Sequence, residues 1–250
     1  MNPKKTEIIL HRGYKGKYLE NSKASFENAL KEGMSFETDI RVSKDKKCFM
    51  IHDESLDRLL NAYGKVVEYN AEDLRKMRYK EDNSSLVSFE ELLNLARNNQ
   101  SSGKIFIHIK HLDDVHRAFN DLNCDLAEKL RFFACDDITL TLIDLIRKNY
   151  PSYEVGLHVT EDFLYKDEEH FGGADFIWAD EITKKSITPE LVSIAHKLGK
   201  PVYAISSELI PESIFNKDIE DRWRELVEAG VDGICTDKPL ELAEFLKKGY

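Results

Sequence analysis

The 250-residue sequence predicts an α/β fold, a closed TIM (β/α)8 barrel with a small insertion after its second strand. Three observations carry that expectation. Short β-rich runs alternate with segments of helical period along the chain, which implies parallel strands. Eight strand runs remain once a ribbon at 48–52 is set aside, and eight units in this length suit a barrel. No G-x-G-x-x-G follows the first strand, so the competing open doubly wound sheet lacks its phosphate loop. Residues 1–250 therefore read as a single domain, with the insertion at about 54–86.

The elements follow in order. Residues 8–10 form the first strand. Residues 22–33 have helical spacing, with Phe26, Ala29, Leu30 and Gly33 on one face and Gly33 as the stop. Strand pattern returns at 35–43, then the polar turn Lys44-Asp45-Lys46-Lys47 leads into the ribbon. Residues 54–86 are polar and irregular, an insertion on the barrel rather than a linker. Ser88-Phe89-Glu90-Glu91 has capping-box spacing and opens a helix to about residue 98. KIFIHIK at 104–110 is a strand, as is 130–134, which a helix at 138–148 follows. Further strands lie at 153–160, 174–179, 201–206 and 231–236. Between the last three, Leu191, Ile194, Ala195 and Leu198, then Trp223, Leu226, Val227 and Gly230, stand at i, i+3, i+4, i+7. A helix opened by Pro239 closes the chain.

Composition narrows the function. With 42% hydrophobic and 33% charged residues the chain is a globular protein rather than a disordered one. Its 36 Lys+Arg against 46 Asp+Glu give a charge of -10, which argues against nucleic acid and anionic membrane surfaces as partners. No apolar run approaches the ~20 residues of a membrane span. The N-terminal lysines have no apolar h-region behind them, so the expected location is cytoplasmic. The four cysteines (Cys48, Cys124, Cys135, Cys235) include no C-x-x-C and read as free thiols of a reducing compartment.

In such a barrel the chemistry sits at the C-terminal strand ends. The first strand ends in His11-Arg12-Gly13. His11 alone reads as a hydrogen-bonded strand end, but the adjacent guanidinium suits a phosphate or carboxylate. Glu37 and Asp39 stand at i and i+2, so both carboxylates share one face. Either a hard cation lies between them or an arginine such as Arg41 pairs them. His52-Asp53 adds an acid/base candidate, with Asp53 either orienting His52 or paired with Arg58. His108 and Lys110 again share a face. Burying both calls for a ligand, such as a metal and a phosphate; alternatively, Lys110 lies past the strand in solvent. His111 reads as loop.

These residues, in this order, carry a resemblance. The run HRGYKGKYLENSKASFENALKEGMSFETDIRVSKDKKCFMIHDESLDRL resembles the N-terminal signature of glycerophosphodiester phosphodiesterases: HRG, an EN pair, an amphipathic helix, a Gly, E-x-D, a short turn, then HD with LDR. GKVVEYNAEDLRKM is similar to that family's small insertion, and EAGVDGICTDKP to its closing strand and turn. The resemblance implies a phosphodiesterase TIM barrel with a divalent cation. By motif position it implies His11 and His52 as the general acid/base pair and Arg12 as a phosphate ligand. Glu37 and Asp39 would be metal ligands. Glu20 and Asn21 would line or brace the site, and Lys110 would neutralise phosphoryl charge.

The sequence departs from the pattern in three places. Leu19 replaces a Pro before the Glu-Asn pair, and Lys46-Lys47 stand where the turn usually has a Gly. Most consequentially, His108 replaces a Glu that serves as a third metal ligand. Mg2+ and Ca2+ prefer oxygen donors, so His108 as a ligand brings in Mn2+ or Zn2+ as well; the other outcomes are two-carboxylate binding or weakened binding. The expected reaction is hydrolysis of a small glycerophosphodiester to glycerol 3-phosphate and an alcohol. Water or the glycerol 2-hydroxyl would be the nucleophile. The alternatives are phospholipase D-like action on lysolipids, with Leu59, Leu60 and Tyr63 as a lipid-facing loop, and a non-catalytic phosphodiester-binding barrel. A sugar-phosphate isomerase ranks below these. No observation in the sequence fixes an oligomeric state.

Overall fold

The computed structural model describes residues 6–111, 122, 124–134, 136–160 and 171–249. Among them, strand β1 (Glu7–Leu10) pairs in parallel with β2 (Ser35–Val42) on one side and β9 (Gly233–Thr236) on the other. From β2 the parallel sheet runs through β4 (Ile105–Ile109), β5 (Leu130–Ala134), β6 (Glu154–Val159), β7 (Phe176–Ala179) and β8 (Val202–Ile205) to β9. The β1–β2 pairing closes the ring, and the TIM barrel expected from the sequence is the fold observed. β3 (Cys48–Met50) lies outside it, antiparallel to the end of β2.

Local chemistry sets the helices. α1 (Lys23–Lys31) starts where Ser22 Oγ accepts the Ser25 N–H. A short α2 (Ala71–Lys76) lies in the insertion. The capping box at α3 (Phe89–Arg97) is present: Ser88 N–H donates to Glu91 Oε2 at 2.8 Å and Glu91 N–H to Ser88 Oγ at 3.3 Å. α4 (Asp136–Asn149) joins β5 to β6. α5 (Pro189–Lys197) has Thr188 as its cap, and α6 (Ile219–Ala229) ends at Gly230 in the left-handed region. α7 (Pro239–Lys247) closes the chain. None of the helices among the described residues is long and apolar enough to cross a membrane.

Strand alternation divides the apolar side chains into two cores. Ile107, Phe132 and Ile177 face outward and join Phe26, Leu92, Leu142 and Trp223 in the large core between sheet and helices. Their neighbours Phe106, Phe133 and Trp178 face inward and, with Ile9, Phe176, Tyr203 and Cys235, plug the barrel. Below the plug, Ser35 pairs with Glu7 and Arg131 with Glu154. A filled interior leaves only the mouth for a site.

The insertion corrects the sequence reading in one respect. It is not merely polar: Leu56, Leu60, Val66, Ala71, Leu74, Tyr79 and Leu86 pack with Phe49 and Ile51 as a separate buried cluster. The turn before it places Lys46 at φ 67, the left-handed conformation that a glycine adopts at no cost.

Candidate active site

The mouth is built from the first strand end upward. After Leu10 the chain turns sharply, with Arg12 at φ 51 and Gly13 at φ 76. A Cβ at Gly13 would lie 2.4 Å from Ser25 Oγ, so the position requires glycine. Arg12 is held there by its N–H to Glu37 Oε2 at 3.2 Å, and its carbonyl accepts the Asn21 N–H at 2.9 Å. Asn21 is itself at φ 51, and its Oδ1 accepts from the Thr38 hydroxyl at 2.8 Å. Two non-glycine residues in this conformation are a strain that the surrounding bonds hold in place. Asn21 therefore braces the turn and does not line the cavity.

Both histidines rest on carboxylates through Nδ1. His11 Nδ1 is 2.8 Å from Asp237 Oδ1, and Lys15 Nζ donates to the other oxygen of Asp237 at 2.7 Å. His52 Nδ1 is 2.8 Å from Asp53 Oδ1. A proton on Nδ1 leaves Nε2 as the reactive nitrogen in each ring. Burial lowers both imidazoles below their ordinary pKa, outweighing the neighbouring carboxylates. Burial alone would raise Asp53, yet hydrogen bonds from Arg58 and His52 hold it at about 2.

Arg58 ties these parts together. Its Nε and Nη2 bind Asp53 at 2.5 and 3.1 Å, and its Nη2 and Nη1 bind Glu20 at 2.6 and 3.1 Å. Glu20 also accepts Arg12 Nη1 at 3.0 Å. One guanidinium thus links the carboxylate under His52 to the carboxylate under Arg12. Asp53 does both things the sequence left open: it orients His52 and pairs with Arg58. Arg41 instead donates to the His52 carbonyl and meets His111.

Strand register places the remaining groups. Asp39 stands opposite His108 on β4, one level above the Glu37–Phe106 pair. One donor atom from each of Glu37, Asp39 and His108 lies within 4.8 Å of the others, so the three form a group able to hold a metal ion. Lys110 is half-buried rather than solvated, its Nζ 2.9 Å from Asp39 Oδ1 and 2.9 Å from His108 Nδ1. Burial and then the Asp39 charge raise Glu37 to about 8, whereas Lys110 overcomes burial and holds Asp39 well below the usual carboxylate range. Two buried like charges do not both ionise cheaply, and the lysine favours Asp39. Burial and Lys110 also keep His108 neutral, its pKa down to about 3.

The result is a cavity of about 130 Å³ at the C-terminal mouth of the barrel. His11, Arg12, Glu37, Asp39, His52, His108 and Lys110 all line it; Glu20 and Asn21 stand behind them. Residues the sequence reading missed complete it. Asp237 sits just past β9, in the TDKP turn, where the strand-end rule applied a last time would have found it. Phe133, Trp178, Ile205, Leu209, Ile210 and Cys235 make the facing wall. Behind that wall His158 Nε2 lies 3.1 Å from Asp180 Oδ2.

Residues 11–241 match the glycerophosphoryl diester phosphodiesterase family. The chain belongs to that family. A glycerophosphodiester phosphodiesterase of Bacillus altitudinis is 28% identical over 248 residues, covering 94% of this chain and 95% of that one. Among solved structures, a glycerophosphoryl diester phosphodiesterase from Parabacteroides distasonis is 25% identical, with a TM-score of 0.75 over 99% of this chain and 88% of that one. An Oleispira antarctica phosphodiesterase in complex with the product sn-glycerol-3-phosphate is 17% identical, with a TM-score of 0.75 over 96% of each chain. The last likeness is one of fold. Within the phosphodiesterase family, then, the pocket just described is the candidate active site.

Proposed function

We propose that this phosphodiesterase hydrolyses glycerophosphodiesters to glycerol 3-phosphate and an alcohol, with His11 and His52 as its acid/base pair. The observation that carries the reading is one small cavity into which two carboxylate-backed imidazoles, Arg12, Lys110 and the Glu37/Asp39/His108 group all converge. Phosphodiester cleavage needs charge neutralised on the phosphoryl oxygens, a nucleophile deprotonated and the leaving alkoxide protonated. Arg12 and Lys110 meet the first need. One imidazole accepts the proton of the nucleophile, water or the glycerol 2-hydroxyl, at Nε2. The other donates from Nε2 to the leaving oxygen, while Asp53 and Asp237 hold each ring and stabilise its protonated form. The whole chain acts in this reading as one barrel domain carrying the insertion at 54–86.

A divalent cation fits the donor set. Asp39 Oδ2 is buried and accepts no hydrogen bond among the described residues, with Arg12 Nε 3.7 Å away. Glu37, Asp39 and His108 would hold the ion, which would supply charge neutralisation on the phosphate when bound. Mg2+ or Ca2+ suits the two carboxylates, and the imidazole admits Mn2+ or Zn2+. A neutral His108 has one ring-nitrogen lone pair, and for Nδ1 to bind the ion, Lys110 Nζ, 2.9 Å from it, would have to turn away. Lipid and glycerol metabolism is the setting that such products imply. A cytoplasmic location suits the buried free thiols of Cys48 and Cys235.

The lipid-loop alternative loses support, because Leu60 is fully buried in the insertion's own cluster and only Tyr63 is exposed. Purified protein assayed against glycerophosphocholine and lysophosphatidylcholine with each divalent ion tests the proposal. Release of glycerol 3-phosphate from the first is expected. Turnover of the lysolipid alone, or of neither, would overturn it.

A further inference from the structure

Glu208 touches neither histidine, yet it holds the turn on which one of them rests. It lies in the single helical turn Ser207–Leu209 that follows β8. Its Oε1 accepts the Thr236 hydroxyl and, at 3.2 Å, the Asp237 N–H, while its Oε2 accepts the Ser206 hydroxyl. The direction of each hydroxyl is set from behind. Ser206 Oγ accepts Trp223 Nε1–H at 2.7 Å, and Thr236 Oγ1 accepts the Lys238 N–H at 2.9 Å, so both hydroxyl protons are left for the carboxylate. Ser206, Thr236 and Trp223 are all buried, and Trp223 is anchored in the large core from α6.

The bonds therefore run from the core to the charged wall: Trp223, Ser206, Glu208, then Thr236 and Asp237. From Asp237 they reach His11 Nδ1 at 2.8 Å. Asp237 is supported on its other sides as well. Lys15 Nζ holds its second carboxylate oxygen, and a Cβ at Gly16 would stand 2.6 Å from its carbonyl oxygen, so the loop after β1 packs against the turn. Lys15 grips the carboxylate from a flexible side chain, whereas Glu208 holds the backbone from which that carboxylate springs. Leu209 and Ile210, next to Glu208, line the cavity, so this one carboxylate joins the loop of the apolar wall to the support of His11. We propose that Glu208 is a positioning residue of the reaction: it fixes Asp237 and, through Asp237, the Nδ1-protonated orientation of His11. This rests on the acid/base reading of His11 above.

The test pairs a spectrum with a double-mutant cycle. In protein labelled with 15N-histidine, the His11 Nδ1–H resonance is the one lost in His11→Gln. It should be present in the wild type and in Glu208→Gln, which keeps an acceptor oxygen, and be shifted or broadened away in Glu208→Ala. On glycerophosphocholine, Glu208→Ala should lower kcat about tenfold, and Glu208→Gln should stay within about threefold of the wild type. In an Asp237→Ala background, Glu208→Ala should cost less than about threefold further, because the group it acts through is already gone. Thermal melts check folding, and Thr236→Val, which cuts the same clasp at its other end, decides if Glu208→Ala is unfolded. An unchanged His11 resonance in the folded variant, or its absence from the wild type, would overturn the proposal. So would a full tenfold loss in the Asp237→Ala background, or a rise in KM with kcat kept, which would leave Glu208 serving the apolar wall alone. If the wild type cleaves no diester, the hydrolase reading fails and the resonance still decides the role of Glu208.

Discussion

The two walls of the barrel mouth are built on opposite principles. The wall formed by β1, β2, β4 and the His52 turn is charged, and its ions are cross-linked: His11 to Asp237, His52 to Asp53, Arg12 and Arg58 to Glu20, Lys110 to Asp39. The wall from β5 to β9 is aromatic and aliphatic, with a few polar atoms set among packed rings. The difference teaches where to look for each property. Groups that move protons or hold phosphate must be positioned and electrically tuned, so they come with partners. The facing wall is held by ring packing instead.

The strongest way to break the comparison is to remove one of the proposed proton-transfer histidines from the charged wall. His11→Ala or His52→Ala should lower kcat on glycerophosphocholine by about 10²- to 10⁴-fold with the melting temperature little changed. Near-normal kcat in either variant would remove that residue from the assignment. Next comes the linkage beneath the wall. Arg58→Ala releases both Asp53 and Glu20, and kcat should fall about tenfold because His52 and Arg12 lose their fixed placement together. An unchanged kcat would show that the guanidinium only ties the insertion down.

His108→Glu sharpens the comparison by making the charged wall more acidic. Calorimetry should show Mg2+ binding about tenfold tighter, and any preference for Mn2+ or Zn2+ should disappear. If ion affinities stay as in the wild type, His108 is not a ligand. The smallest effect is on stability. Asp53 has its pKa lowered to about 2 in the fold, so the stability it contributes is present above the unfolded carboxylate's ordinary value and is lost as pH falls through about 2. Partial exposure keeps this to about 1 kcal/mol. Melting temperatures from pH 5 to pH 2 should fall less steeply in Asp53→Asn than in the wild type; equal slopes would contradict the clasp.

Much of the barrel was legible because its signals are periodic. Phe106 and Phe133 alternate with Ile107 and Phe132, and the capping box at Ser88 marks a helix start to the residue. The charged wall was legible for a related reason: carboxylates at i and i+2, and His-Lys at i and i+2, stand out on strands that otherwise bury apolar side chains. The insertion was misread as simply polar because Leu56, Leu60, Val66, Leu74 and Tyr79 follow no fixed period, and tertiary packing alone unites them. Asp237 stands at a strand end like the other candidates, but its pairing with His11, 226 residues away, is visible only in the fold. Trp178 reads as an inward-facing core residue, since only its three-dimensional surroundings show that the indole N–H is unmatched among the described residues.

The account's central claim is tested most directly by following glycerophosphocholine with 31P NMR in the presence of the purified protein and a divalent cation. The diester signal should give way to that of glycerol 3-phosphate, at a rate lost in His52→Ala. Persistence of the diester with every ion tried, or its conversion to phosphocholine instead, would contradict the assignment of this pocket.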